Sequence, residues 1–336
     1  MLRRVPRPLA LIVTTLLATT LTACGSGSNT VGLGGKTLDG WDAASVSGDS
    51  GTAPKVDWKG KMAAVAKPET KTLQAGNGAA VTEGGKVWGY IWIGNGETQK
   101  QAYSDYDNKQ PEELTLDSKT ISPVFTKMLS GAKVGSRVAA ITSAKEIFGD
   151  GGNPTMGVAN EDPLLIVVDL VAPANDKATD VDRSKMPKLK PTAGKPTVPS
   201  GMDFTGVQKP DQYGDLLRTT LKQGNGTTVT SDMTVKVNYL GMTYGAKKPF
   251  DESYTKKPAE FPLTQVVKGW TYGLTGVKVG SRVLLQVPPL LGYGGQEQPN
   301  IPANSTLYFV VDVLSATKPA PTASASPSAS ASPSAQ

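Results

Sequence analysis

The side chains that could do chemistry in this chain are aromatic rather than nucleophilic. Its 336 residues include no histidine and a single cysteine, Cys24, which excludes Ser-His-Asp triads, His-ligated metals and thiolate zinc sites. A GxxxxGK[ST] phosphate-binding loop is also absent, and the glycines at 224–226 and 292–295 are typical of turns. We therefore expect neither a metal nor a cofactor.

Aromatic residues are concentrated between 239 and 309, although they make up only 6% of the chain. A short helix is predicted where Val266, Trp270 and Leu274 recur every four residues, and Gly276 would end it. Core packing is the alternative role for any single aromatic residue. A tryptophan on the buried face of a short helix, laid against a sheet, indicates the floor of an apolar pocket. The aromatic residues are Tyr239, Phe250, Phe261, Trp270, Tyr293, Tyr308 and Phe309.

Strands are predicted on either side of this helix. Alternation in 234–239 (TVKVNY) places Val235, Val237 and Tyr239 on one face of a strand. The apolar run 307–314 (LYFVVDVL) predicts a second strand. Together they indicate an α+β fold, an antiparallel sheet wrapped over a short helix.

An internal repeat shows that this fold occurs twice. GVKVGSRV at 276–283 is nearly repeated by GAKVGSRV at 131–138. Because the matching segments follow one another in the same order, we predict two tandem copies of one domain. The other matched pairs are VVDVL at 310–314 with VVDLV at 167–171, and QGNGTTVT at 223–230 with AGNGAAVT at 75–82.

Residues 1–23 are predicted to be a lipoprotein signal peptide. Three arginines precede an apolar run that is too short to span a bilayer comfortably, and LTAC at 21–24 resembles a bacterial lipobox. That resemblance implies cleavage before Cys24 and a lipid on its sulfur, which would anchor the exported protein to the outer face of the cytoplasmic membrane. An ordinary secretory signal is the alternative.

Without the three arginines of the signal peptide the net charge of +6 falls to about +3, too little to indicate nucleic-acid binding.

Composition divides the remainder of the chain. Gly-, Ser- and Pro-rich stretches cannot build a core and are predicted to lie between or outside the domains. The predicted parts are a flexible tether at 24–54, the first domain at 55–172, a Lys- and Pro-rich linker at 173–210, the second domain at 211–317, and a disordered Ala/Ser/Pro tail at 318–336.

Five motifs of the second domain, NYLGM, PFDES, VVKGW, GYGG and IPANSTLYFVVDVL, occur in an order that resembles the FKBP family of peptidyl-prolyl cis-trans isomerases. The resemblance implies that Trp270 is the pocket floor under a proline ring. The Val267 N–H and the Tyr293 hydroxyl would bind substrate carbonyls, and Asp251 would be a carboxylate near Tyr239. Ala259 falls where the family has an aromatic rim residue. The full implied site is Tyr239, Phe250, Asp251, Val266, Val267, Trp270, Tyr293, Ile301 and Phe309.

The first domain keeps the skeleton of the second but changes the pocket. Tyr103 aligns with Phe250 and Ser104 with Asp251, and either Tyr90 or Ile91 aligns with Tyr239. Weak or absent isomerase activity is therefore implied for this copy. The other replacements are Phe125 for Trp270, Ile166 for Phe309, Ser122 for Val267 and Phe148 for Tyr293.

The resemblance implies isomerisation of X–Pro bonds in exported proteins, carried out by the second domain through desolvation in an aromatic pocket. One alternative is a chaperone or peptide-binding lipoprotein that uses its apolar clefts without turnover. A solute-binding lipoprotein is disfavoured, because the alternating strands and helices of such lobes are missing. The expected partners are proline-containing segments of exported proteins and the membrane, through Cys24. We expect a monomer that binds no nucleic acid.

Overall fold

The computed structural model describes residues 36–318, and these residues contain mainly strands with three short α-helices. The strands are β1 (Thr37–Leu38), β2 (Ala44–Ser47), β3 (Lys55–Trp58), β4 (Lys61–Met62), β5 (Glu69–Gln74), β6 (Lys86–Asn95), β7 (Lys100–Ser104), β8 (Glu112–Thr115), β9 (Arg137–Ser143), β10 (Pro163–Pro173), β11 (Thr179–Asp180), β12 (Lys188–Thr192), β13 (Lys195–Asp203), β14 (Leu217–Lys222), β15 (Thr234–Thr243), β16 (Asp251–Glu252), β17 (Ala259–Pro262), β18 (Arg282–Val287) and β19 (Leu307–Thr317). The helices are α1 (Pro123–Leu129), α2 (Ala144–Phe148) and α3 (Lys268–Leu274), and short 3₁₀ turns cover Gly40–Asp42, Pro154–Met156, Arg183–Lys185 and Pro289–Leu291.

Two large sheets share one strand order. The first runs β5-β9-β10-β6-β7 with β8 also paired to β6, and the second runs β11-β14-β18-β19-β15-β16 with β17 also paired to β15. We call them the first unit (69–173) and the second unit (179–317). The sequence repeat is therefore also a repeat of strand order. The second sheet is not wholly antiparallel as expected, because β11 pairs with β14 in parallel, Thr179 beside Leu217.

The second half of strand β15 is buried on both faces, which the alternation in 234–239 does not reveal. Val235, Val237 and Tyr239 face the core that contains Trp270, as predicted. Further along, Leu240 and Met242 join a second buried cluster on the opposite face. The sheet therefore separates two apolar layers, and only one of them contains the aromatic pocket.

Helix α3 begins later than the spacing of its apolar residues indicates. Val266 precedes the helix, and Val267 is its N-cap with φ −55° and ψ 143°. Val266 is nevertheless buried in the same core as Trp270. The predicted end is confirmed, since Thr275 is the C-cap and Gly276 has φ +85°, a left-handed conformation that glycine adopts without strain.

The predicted flexible tether at 24–54 is wrong for its described part. From residue 36 onward the chain forms β1, a 3₁₀ turn and the β2–β3 pairing, and it covers the outer face of the first sheet. Arg137 explains this ordering, because its buried guanidinium donates to the carbonyls of Ser47, Gly48, Asp49 and Thr52. Arg137 and its carboxylate partner Asp169 are both 1% exposed and lie 2.7 Å apart, Nε to Oδ1.

The predicted linker at 173–210 also contains ordered structure. The hairpin β12–β13 covers the outer face of the second sheet, where Met186 and Met202 are buried beside Tyr308. Arg282 repeats the role of Arg137: it pairs with Asp312, Nε to Oδ1 2.6 Å, and donates to the Thr197 carbonyl. Both repeats thus use the arginine of their GSRV motif to fix the chain that precedes β5 in the first sheet and β14 in the second.

Residues 1–35 and 319–336 lie outside the described part of the chain, so the predictions for the signal peptide, Cys24 and almost all of the tail concern residues that the structure does not describe. Among residues 36–318, no helix has the length and apolar character needed to cross a membrane.

Candidate active site

A cleft of about 240 Å³ opens in the second unit beside β16. Four of the nine predicted site residues line it: Phe250, Asp251, Tyr293 and Ile301. The other five are buried below the cleft in one cluster, each at most 4% exposed: Tyr239, Val266, Val267, Trp270 and Phe309. The predicted residues therefore assemble as a lining and a support beneath it.

Trp270 is the centre of the support. Its ring is fully buried, and three aromatic rings meet it edge-to-face, Tyr239 at 5.4 Å, Phe261 at 5.4 Å and Phe309 at 5.3 Å between centroids. Each such pair contributes about 0.5–1.5 kcal/mol beyond the burial of its area. The rings hold one another in a fixed arrangement, so the base of the cleft is rigid as well as apolar.

The indole N–H of Trp270 is buried and has no hydrogen-bond partner within the described residues. Leaving such a donor unsatisfied costs about 1–3 kcal/mol, and unsatisfied groups of this kind are rare in native cores. A tryptophan kept here in spite of that cost indicates that its ring shape and area are needed under the cleft.

A carboxylate and two hydroxyls form the polar edge. Asp251 Oδ2 accepts a hydrogen bond from the Tyr239 hydroxyl, and its Oδ1 accepts from the Glu252 backbone N–H at 2.8 Å. Burial, followed by the hydrogen bond to Asp251, raises the pKa of Tyr239 above its ordinary value. Burial and the nearby Asp251 charge raise the pKa of Tyr293 to about 12. Both tyrosines therefore keep their protons and remain donors at neutral pH.

The segment that carries Tyr293 is shaped by a 3₁₀ turn and two glycines. The turn Pro289–Leu291 precedes it, and the Gly294 carbonyl accepts from the Asn304 N–H at 2.8 Å. Val267 does not line the cleft: it is fully buried at the start of α3, where a helix supplies no acceptor of its own for the backbone N–H. The two expected donors therefore belong to separate segments, and only Tyr293 is part of the cleft lining.

Sequence reasoning missed Gly241, on which the two phenyl rings of the pocket depend. A Cβ at this position would lie 2.5 Å from Phe250 Cζ and 2.8 Å from Phe309 Cε1. Glycine therefore lets both rings cross the strand and meet at 5.7 Å. A glycine in the middle of a strand, in NYLGM, was the available signal, since it marks a bulge or a close approach.

The segment Gln298, Pro299 and Asn300 was also missed, and all three residues line the cleft. Gln298 and Ile301 exchange backbone hydrogen bonds of 2.9 Å in each direction, and Asn300 takes φ +64° between them. The Pro-Asn dipeptide is a turn signal, but it does not reveal that the turn lies against a pocket.

The comparisons with known proteins concern this part of the chain. Residues 225–314 match the family described as FKBP-type peptidyl-prolyl cis-trans isomerase. We call residues 225–314 the FKBP segment because of this similarity. All nine predicted site residues lie within it.

Two curated relatives are similar over the same region. The FKBP-type peptidyl-prolyl cis-trans isomerase FkpA of Escherichia coli is 44% identical over 111 residues, which cover 33% of this chain and 40% of that protein. FkpA of Aeromonas hydrophila is 43% identical over 101 residues, 30% of this chain and 37% of that protein. The crystal structure of FkpA from Escherichia coli covers 34% of this chain and 52% of that chain, with 42% identity and a TM-score of 0.30. The chain thus spans less than half the length of these curated relatives.

The strand register shows which residues of the first unit correspond to those of the FKBP segment. Ile91 lies opposite Val168 as Tyr239 lies opposite Val311, so Ile91 and not Tyr90 takes the place of Tyr239. In the second unit Asp251 lies opposite Gly241. The residue of the first unit that corresponds to Gly241 is Ile93, and Tyr103 lies opposite it, so Tyr103 takes the place of Asp251. The expected matches of Tyr103 with Phe250 and of Ser104 with Asp251 are therefore wrong. An irregularity between β6 and β7 at Ile93/Gly94 shifts the alignment.

The helix of the first unit forms as predicted. Ser122 is the N-cap of α1, its hydroxyl accepts from the Phe125 N–H at 3.4 Å, and Pro123 begins the helix. Phe125 is 8% exposed and packs in the core of this unit. The first unit thus has the helix and its cap, but a phenylalanine in place of the tryptophan.

The first unit buries a second carboxyl, that of Asp105, in addition to the one in the Arg137–Asp169 pair. Asp105 is 1% exposed; it accepts from the Tyr103 hydroxyl and, at 2.7 Å, from the Ile91 N–H. Burial raises the pKa of Asp105 to about 6, although both hydrogen bonds oppose the shift. At the corresponding place in the FKBP segment Ser253 accepts from the Tyr239 N–H, so the two units differ in charge as well as in shape.

Proposed function

We propose that this protein is an FKBP-type peptidyl-prolyl cis-trans isomerase that acts on X–Pro bonds of exported proteins through its second unit. The observation that carries the proposal is the Trp270 floor, enclosed by three aromatic rings, below a cleft edged by Tyr293 and Asp251. The match of residues 225–314 to the FKBP family supports it.

The reaction needs no group that the chain lacks. Rotation about an X–Pro bond must lose amide resonance, against a barrier of about 18–20 kcal/mol. In the twisted state the carbonyl is less polar, so a dry aromatic pocket binds that state better than the planar one. We expect the Tyr293 hydroxyl, which lines the cleft, and the Val267 N–H, at the start of α3, to bind substrate carbonyls. Phe250 and Ile301, which also line the cleft, would favour an apolar residue before the proline.

A protease-free assay of cis-trans exchange in a prolyl peptide tests this function on the full-length protein. We expect the wild-type chain to accelerate exchange and Trp270→Leu, checked for folding by circular dichroism, to lose most of that acceleration. If the wild-type protein binds the peptide and prevents aggregation of an unfolded client but leaves the exchange rate unchanged, the non-catalytic chaperone is the correct alternative.

The two units are proposed to be tandem FKBP-like domains of unequal activity. Their shared strand order and matching helix positions support the duplication. Ile91, Phe125 and Phe148 replace a hydroxyl donor, an indole and a second hydroxyl, so turnover is assigned to the second unit. Full-length protein with Trp270→Leu should therefore retain little activity, and substantial residual turnover would assign a catalytic role to the first unit.

We further propose that the protein is exported and lipid-anchored through Cys24, as the LTAC motif and the preceding apolar run imply. Replacing Cys24 with Ser should release the protein from membranes into a soluble or unprocessed form. Unchanged membrane fractionation of a mature-size Cys24→Ser variant would contradict the anchor.

A further inference from the structure

The interface between the two units lies behind the proposed active site. Trp88, on β6 of the first unit, is 5% exposed and belongs to the buried cluster of the second unit. It lines one narrow crevice together with Leu290 and Leu291. These leucines are part of the 3₁₀ turn Pro289–Leu291, which immediately precedes the segment carrying Tyr293.

A second contact reaches the start of α3. Lys268 is the first residue of that helix and follows Val267 directly. Its ammonium group pairs with the Glu113 carboxylate on β8 of the first unit and lies 4.8 Å from the centroid of the Trp88 ring. The Lys268 and Glu113 side chains are only 23% and 16% exposed, so solvent screens this charge pair less than it screens a surface pair.

A third contact involves the glycines that follow Tyr293. A Cβ on Gly295 would lie 2.3 Å from the Lys109 carbonyl oxygen, and one on Gly294 would lie 3.4 Å from Gln110 Cδ. The first unit's backbone therefore lies directly against this segment, at a distance that only glycine permits.

The three contacts share one property. Each touches a segment that carries a proposed substrate donor, either the Val267 N–H or the Tyr293 hydroxyl, yet no residue of the first unit lines the cleft. A unit that served only as a spacer would need none of these contacts. The first unit therefore touches the segments that hold the proposed donors and not the cleft itself, which is what a positioning role requires.

We infer that the first unit is a positioning element for catalysis by the second, with Trp88 as its principal residue. Trp88 holds the turn before Tyr293 on one side and the start of α3 on the other. This inference rests on the proposed isomerase function. Because misplacing catalytic groups by about 1 Å costs up to roughly a hundredfold in rate, loss of this support should lower kcat and leave KM nearly unchanged.

The test uses the full-length protein with Trp88→Ala, Trp88→Phe and a matched control, Trp92→Ala. Trp92 lies four residues further along β6 and is also 5% exposed, but it packs against the N-terminal segment in a different cluster. We expect Trp88→Ala to lower kcat about tenfold with KM within about twofold, and Trp88→Phe to restore most of kcat. Trp92→Ala should keep the wild-type kcat.

Amide hydrogen exchange of residues 288–296 provides the second readout, and exchange there should rise in Trp88→Ala but not in Trp92→Ala. If Trp88→Ala does not fold, Glu113→Gln replaces it, with an expected loss of about threefold in kcat. A folded variant with wild-type kcat and exchange, or equal losses from both tryptophan changes, would overturn the inference. A wild-type protein without turnover would instead refute the proposed function, while the exchange comparison would still decide whether Trp88 holds this segment.

Discussion

At the scale of single residues, the site combines an apolar floor with a polar edge that keeps its protons. The pKa of Tyr293 lies at about 12 and that of Tyr239 is raised further above its ordinary value, so neither hydroxyl ionises at neutral pH. Asp251 accepts a hydrogen bond from Tyr239 and is not positioned as a lone base. The residues can therefore orient a carbonyl without transferring a proton.

Asp251→Asn and Tyr293→Phe should therefore slow the proposed isomerisation without abolishing it. Each change alters one hydrogen bond, for which a net effect of about 0.5–1.5 kcal/mol is usual, or about a tenfold loss in kcat/KM at most. Trp270→Leu, which reshapes the floor itself, should cost more than either. Peptide exchange rates measured on folded variants give the comparison.

Matched unfolding curves for these variants serve as the control, since Asp251 also supports Tyr239. A well-folded Asp251→Asn variant that loses activity by many orders of magnitude would point to acid–base chemistry. The desolvation mechanism would then have to be abandoned.

At the scale of elements, helix α3 lies so close to β18 that its glycines become structural. A Cβ on Gly269 would lie 2.2 Å from Val287 Cγ1, and one on Gly273 would lie 2.9 Å from Leu285 Cδ1. These glycines are one helical turn apart on the face toward the sheet. They allow the close approach that brings Trp270 beneath the cleft.

Gly269→Ala should destabilise the second unit, although alanine is favoured over glycine in a helix by about 1 kcal/mol. The added methyl group overlaps Val287, and overpacking of a core costs about 1–3 kcal/mol. Urea denaturation followed by tryptophan fluorescence measures the change. The double variant Gly269→Ala/Val287→Ala should recover part of the loss, whereas an equal or greater stability of Gly269→Ala alone would show that the helix can move away.

The sequence allowed the elements around the pocket to be predicted because their signals are local. The alternation ending at Tyr239, the four-residue spacing of Trp270 and Leu274, and the left-handed Gly276 each reflect one turn or one strand face. The ordered segment before the first sheet could not be predicted, because it is held by main-chain carbonyls that Arg137 reaches from far along the chain. Its own composition contains no trace of that interaction.

The pocket itself was only partly predictable, for a related reason. The resemblance of the motifs to the FKBP family pointed to Trp270, Tyr293 and Asp251 as site residues. Gly241 and Asn300 contribute shape rather than chemistry, and shape depends on neighbours across the sheet. The register irregularity between β6 and β7 likewise could not be seen in one sequence, which is why Tyr103 was placed one residue away.

At the scale of the whole molecule, the two units should respond to pH differently. In the second unit, the Tyr293 pKa of about 12 exceeds the unfolded value of about 10, so its contribution to stability is fully present below about pH 10 and is lost as pH rises through about 12. In the first unit, Asp105 has a folded pKa of about 6, above its unfolded value of about 3.9. Its contribution is fully present below about pH 4 and is lost as pH rises through about 6.

Asp105→Asn should therefore remove a pH dependence that belongs to the first unit alone. The shift of about two pKa units corresponds to roughly 2–3 kcal/mol, so the wild-type first unit should lose about that much stability between pH 4 and pH 7.5. The amide keeps an oxygen that can accept from the Ile91 N–H but carries no charge, which should leave Asp105→Asn the more stable protein at pH 7.5. Denaturant unfolding followed by exchange of amides in β6 and β9 at both pH values measures this effect in the full-length chain.

Two results would contradict this prediction: a wild-type first unit whose stability is constant between pH 4 and pH 7.5, or a first unit that Asp105→Asn destabilises at pH 7.5. Either would show that the buried Asp105 carboxylate is satisfied in its charged form.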